Sequence, residues 1–168
     1  MTIDVNGPAK KGAGLFGLDT PLADAKVVVL PVPFEATVSF AAGTARGPAA
    51  ILAASHQVDL LDADVGSPWQ SGIALDPGFS WLPELNEAAR QAACRCIDAV
   101  TSDQAARDAD RQLVEEAGLR VNRAVTERCA EHLRDGRIAV VVGGDHSVSY
   151  GAIAATAAAM GDRRLGIL

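Results

Sequence analysis

The sequence predicts an α/β protein, a three-layer αβα arrangement around a mostly parallel sheet. Three observations carry this. Residues 27–30 (Val-Val-Val-Leu) and 138–142 (Ile-Ala-Val-Val-Val) are unbroken apolar runs, the pattern of short strands covered on both faces. Between and after them lie stretches with apolar residues at helical spacing, so strands alternate with helices. Composition agrees: 49 % of the chain is apolar but only 4 % aromatic, and alanine is abundant, so the core is made of small aliphatic contacts between closely approaching layers.

The first strand is closed by Pro31 and Pro33. A polar, small-residue segment with Gly43 and Gly47 follows, and Pro48 stands where a helix begins, since a first-turn proline lacks only an N–H that would be unpaired there anyway. This helix runs to about Ser55. Residues 58–78 read as strand and loop, with Val58, Leu60 and Leu61 among aspartates and a brief apolar Ile73-Ala74-Leu75. Asp76-Pro77-Gly78 is a turn, because proline presets φ and glycine accepts positive φ. From Pro83, Leu85, Ala89, Ala92, Cys96 and Val100 recur at helical spacing; Val114, Ala117, Val121, Val125, Cys129 and Leu133 mark a second, longer helix stopped by Asp135-Gly136. Helices are therefore expected near 83–100 and 110–134. A small-residue helix from about Ser149 to Met160 follows the second strand, and residues 165–168 (Leu-Gly-Ile-Leu) begin a third apolar run, expected to join the same parallel sheet.

With 21 acidic against 15 basic residues the net charge is -6, which offers no electrostatic footprint for nucleic acid or an anionic membrane but suits a cationic small molecule. No apolar run approaches the roughly 20 residues that span a bilayer. The opening stretch carries Lys10 and Lys11 but no apolar core, so it does not read as a signal peptide, and a cytoplasmic location is expected. Cys94, Cys96 and Cys129 match neither a disulfide framework nor a CxxC spacing and read as free thiols.

In open α/β sheets ligands gather beyond the carboxyl ends of the strands. His146 lies four residues past Val142, just beyond such an end. Gly143 and Gly144 remove the Cβ atoms that would hinder a sharp exit from the strand, so the imidazole can turn into the crevice. Three readings of Gly-Gly-Asp-His-Ser stand side by side: a metal ligand at His146 with Asp145 behind it, a phosphate-cradling turn at a helix N-terminus, or a plain turn in which Asp145 and Ser147 cap the helix. His56 and His132 lack this strand-end context and read as surface histidines.

The stretch Val142-Gly143-Gly144-Asp145-His146-Ser147-Val148-Ser149-Tyr150-Gly151 resembles the first signature of the ureohydrolases, the arginase and agmatinase family. A second match lies upstream, where Pro31-Val32-Pro33-Phe34-Glu35 and Gly43-Thr44-Ala45-Arg46-Gly47-Pro48-Ala49-Ala50-Ile51 resemble the family's first strand, loop and first helix, in the same order. The resemblance is nearest to the agmatinase-like branch. Two departures bear on substrate subclass: Ala45 follows Gly-Thr where an arginine is more common, and so does Leu52 after Ile51.

The resemblance implies an arginase-like fold incomplete at its C-terminus, with residues 1–25 as a flexible N-terminal segment and 26–168 as the N-terminal part of the domain. It implies hydrolysis of a small cationic guanidino compound, agmatine-like, releasing urea, as part of a longer homo-oligomeric enzyme. A guanidinium resists neutral water, and a binuclear manganese centre answers this by lowering the pKa of a shared water. Mixed imidazole and carboxylate ligands suit manganese. Of the ligands, only His146 carries over, because the family's later motifs, Asp-Ala-His-x-Asp and then Asp-x-Asp, do not follow it. The competing expectation is a non-catalytic fragment, or a split-enzyme subunit that needs a complementary chain. An unrelated α/β module holding a phosphate at Gly143 and Gly144 is the third.

Overall fold

The computed structural model describes residues 7, 12–38, 40–102, 105 and 107–167. Its sheet has three strands: β1 (Val27–Val32), β2 (Ile73–Leu75) and β3 (Ile138–Gly143), in the order β2-β1-β3 and parallel throughout. Four α-helices connect and cover them: α1 (Gly47–Ser55), α2 (Leu82–Thr101), α3 (Asp108–Arg134) and α4 (Ser149–Met160). The crossover from β1 to β2 runs one way across the sheet and the crossover from β2 to β3 runs the other. Right-handed connections then place α1 on one face and the α2–α3 pair on the opposite face.

Central β1 is the most buried strand, with Val28, Leu30 and Val32 fully enclosed. Leu30 and Val32 meet Leu82 and Ala89 of α2 and the stripe Ala117, Val121, Val125 and Cys129 of α3. The four α3 positions recur every four residues, as the helical spacing required, and burying each valine contributes about 1.5–3 kcal/mol. Burial, and secondarily the charge of Asp76, pushes the Cys129 thiol up to about 11, which marks it as a core residue and not a reactive thiol. Arg95 of α2 grips Asp110 in the first turn of α3 at 3.1 and 2.6 Å, and this ion pair holds the Asp110 carboxyl below its ordinary range. α4 lies along α3, and Gly151 makes the approach possible, since a Cβ there would stand 2.6 Å from Val125 Cβ.

Several expectations are corrected. Residues 165–167 are not a strand, and Leu168 lies outside the described residues. An extended apolar run becomes a strand only beside a neighbour that takes its N–H and C=O groups, and among the described residues none lies next to it. The third strand is Ile73–Leu75 instead, paired to β1 in the register Val27↔Ile73 to Val29↔Leu75. The apolar residues at 58–61 form no strand either; Leu61 is exposed, and the only pairing nearby is an isolated bridge between Asp62 and Gly66. Edge strand β3 is covered less evenly than a two-faced interior strand, with Ala139 and Val141 against the core and Ile138 and Val140 exposed. Residues 12–25 form two 3-10 turns, Leu15–Gly17 and Leu22–Asp24, and bury Leu15 and Leu18.

Candidate functional site

The register Val32↔Gly143 brings the carboxyl ends of β1 and β3 level. Beyond them two segments meet. The chain leaving β3 turns at Gly143-Gly144, and Asp145 N–H donates to the Phe34 carbonyl at 2.8 Å, tying this turn to the exit from β1. Both glycines are required for space: a Cβ on Gly144 would run into the Phe34 carbonyl oxygen, and one on Gly143 into the Val148 side chain. The added Cβ on Gly144 would meet only backbone atoms of Phe34 and so has no soft partner to yield. Gly144→Ala is therefore expected to cost about 3 kcal/mol, read as a lower midpoint in urea unfolding; an unchanged midpoint would show that the two exits can separate freely.

Past the glycines, Asp145 Oδ1 accepts from Ser147 N at 3.0 Å and from the Ser147 hydroxyl, so the aspartate caps the 3-10 turn His146–Val148 that leads into α4. This is the capping reading, realised. It also weakens the phosphate reading, because the Ser147 amide that an anion would use is already engaged. Asp145 Oδ2 is buried and has no partner among the described residues. His146 itself is exposed, so capping by Asp145 and an outward imidazole at His146 coexist.

Facing this turn is the loop after β1. Glu35 is buried, and its Oε2 accepts from Gly43 N at 2.7 Å, Thr44 Oγ1 at 2.9 Å and Ala45 N at 3.1 Å. Burial raises the Glu35 carboxyl, but the hydrogen bonds from Ala45, Gly43 and Thr44 outweigh it and leave the group titrating below the ordinary glutamate value. Two side chains of α2 reach the same loop: Asn86 Oδ1 accepts from Glu35 N at 2.7 Å, and Arg90 Nη1 donates to the carbonyls of Ala36, at 3.3 Å, and Val38. Gly47, opening α1, packs against the Gly143 carbonyl. Both ends of the loop thus abut the turn that carries His146.

The other histidines lie elsewhere. His132, expected at the surface, is buried at 4 % exposure, with Nε2 2.9 Å from Asp76 Oδ2. Helical period explains this, since Val125, Cys129 and His132 follow one another down the inward face of α3. His56 is partly buried rather than a free surface residue, its Nε2 3.0 Å from the Gly14 carbonyl. Among the described residues no three His, Cys, Asp or Glu side chains converge as a metal site would need. The donors among the described residues therefore do not make up a binuclear centre on their own.

The fold and this strand-end turn define an α/β protein with a parallel sheet, and its sequence places it in the arginase family. Residues 25–168 match that family's sequence profile, and the chain belongs to the family. Among curated proteins it is 33 % identical over 145 residues to an N(1)-aminopropylagmatine ureohydrolase of Thermus thermophilus, covering 86 % of this chain and 39 % of the relative. The protein of that name from Synechocystis is 31 % identical over 140 residues, covering 81 % of this chain and 36 % of the relative. The chain thus spans well under half the length of the curated relatives it matches. No solved structure matches it at a significant level. No described helix is long and apolar enough to cross a membrane.

Proposed function

We propose that this chain supplies one part of the active site of a ureohydrolase acting on a small cationic guanidino compound, in which His146 serves as a metal ligand. The observation that carries the reading is an exposed imidazole set at the end of a parallel strand by a Gly-Gly-Asp turn that admits no Cβ at Gly144, in a chain of the arginase family. Manganese is the proposed ion, since the family resemblance implies a mixed imidazole and carboxylate ligand set, which suits it. The relatives are named for aminopropylagmatine, and the chain departs from the usual family loop at Ala45. Aminopropylagmatine therefore joins agmatine as the substrate to test.

In this reading the chain alone does not release urea, because one imidazole cannot hold two ions or fix their spacing. The test pairs the purified chain with the part of the Thermus relative that lies beyond the matched stretch, checks co-elution, and assays urea from both substrates with added manganese. Urea from the assembly and none from either piece is the expected result. A co-eluting assembly that is silent on agmatine, aminopropylagmatine, arginine and guanidinobutyrate would sink the ureohydrolase reading, and urea from this chain alone would sink the argument from ligand count.

A further inference from the structure

We propose that Asn86 and Arg90 of α2 are positioning residues that fix the loop 35–45 in its strand-end shape beside His146 before any substrate arrives, a role that rests on the ureohydrolase reading. The two side chains stand four residues apart and so share one face of α2. Each takes a different backbone group at the root of the loop: Asn86 the Glu35 N–H, Arg90 the carbonyls of Ala36 and Val38. Glu35 then closes the far end by gathering Gly43, Thr44 and Ala45 on a single oxygen. Between these anchors Phe40 is fully accessible, while Phe34, Glu35 and Ala36 at the base of the loop are buried.

Arg90 is the most specific part of this device. Among the described residues no carboxylate lies within 4.0 Å of it, so its Nη1 serves loop carbonyls and not an ion pair. A hydrogen bond within the protein contributes only about 0.5–1.5 kcal/mol net over the bonds to water it replaces, so the gain in global stability from such contacts is small. Their larger effect is on order. Fixing a backbone residue costs free energy comparable to a hydrogen bond, and a loop left free would have to be ordered by the substrate at the expense of affinity. A hooked loop presents one shape in advance, and its base transmits that shape to the turn at Gly144 through the Phe34 carbonyl.

The test has two arms. In the chain itself, amide exchange at Gly43 and Ala45 reports whether the loop is closed on Glu35; Arg90→Ala is expected to speed it by about tenfold, with Arg90→Lys, which keeps a cationic donor, recovering most of the protection. Asn86→Leu repeats the measurement through the second hook should Arg90→Ala fail to fold. In the urea-releasing assembly, Arg90→Ala is expected to raise KM by about tenfold while kcat stays within about twofold, as follows when only a fraction of molecules holds the competent loop. Unchanged exchange in both variants overturns the hook. Faster exchange with an unchanged KM overturns the positioning role. A wild-type assembly that makes no urea refutes the ureohydrolase reading and the positioning role together, while the exchange arm still decides whether α2 holds the loop.

Discussion

Asp76→Ala is expected to lower the stability of the chain by about 3–5 kcal/mol, enough to unfold a large share of a domain this size at ordinary temperature. Asp76 sits one residue past β2 at 1 % exposure and serves every neighbour around it. Its Oδ1 accepts from Gly78 N at 2.8 Å, setting the turn that sends the chain toward α2, and both oxygens accept from Arg128 of α3 at 2.9 and 3.0 Å. Oδ2 also faces His132 Nε2, while Arg137 Nη1 lies 3.2 Å from His132 Nδ1. A guanidinium can only donate, so Nδ1 accepts and Nε2 carries the proton that goes to Asp76. Removing the carboxylate leaves the buried His132 N–H without an acceptor and the half-buried Arg128 guanidinium with only the exposed Glu131 carboxylate at 3.3 Å, and a buried charge pair broken on one side costs far more than the pair itself is worth. Asp76→Asn should lose less, because its amide oxygen can still take one donor while its NH2 opposes Arg128. Urea unfolding of both variants is the measurement; an Asp76→Ala midpoint within about 1 kcal/mol of wild type would mean that water replaces the carboxylate and that the network is ornamental.

That network was only partly legible in the sequence, and the reason is physical. Asp76 was readable as a turn residue, since the Asp-Pro-Gly signal is local, and the Gly78 N–H contact bears this out. Its partners Arg128 and His132 lie 52 and 56 residues away, and no local pattern links them. His132 was nevertheless within reach: Glu131 and Arg134 beside it suggested a solvated face, but counting four and then three residues on from Val125 places it inward. Glu35, Asn86 and Arg90 show the same limit, being joined across 51 to 54 residues by side chain to backbone contacts that leave no periodicity behind. What the sequence displayed well was what burial imposes along a single element: the β-branched runs of β1 and β3, and the four-residue ladder of α3. Where an element depends on a neighbour its extent was harder to read: 58–78 read as strand and loop but only Ile73–Leu75 pairs, and the apolar run at 165–167 forms no strand. The turn that carries His146 belonged to the legible part because its signal is steric and local, two glycines at a strand exit followed by a capping aspartate.

His146→Ala is expected to leave the fold intact and to abolish the assembled activity, a separation that distinguishes a ligand from a structural histidine. Its side chain is exposed, and the turn that carries it is held by backbone and by Asp145, through Asp145 N to Phe34 and Oδ1 to Ser147. Ser149 Oγ donates to the His146 carbonyl, which alanine also offers, so the local cap survives the substitution. Stability should accordingly stay within about 0.5 kcal/mol of wild type. Asp145→Ala provides the contrast, since it removes the cap and should cost about 1 kcal/mol. In the assembly with the complementary portion of the Thermus relative, His146→Ala should lower bound manganese and reduce urea release by at least about a hundredfold, because even residues that merely support a metal ligand commonly cost ten- to a hundredfold when lost. Metal content is measured on the purified assembly by mass spectrometry, independently of turnover. Full manganese occupancy and ordinary urea release in the variant would remove His146 from the site and leave the Gly-Gly-Asp turn as a cap alone.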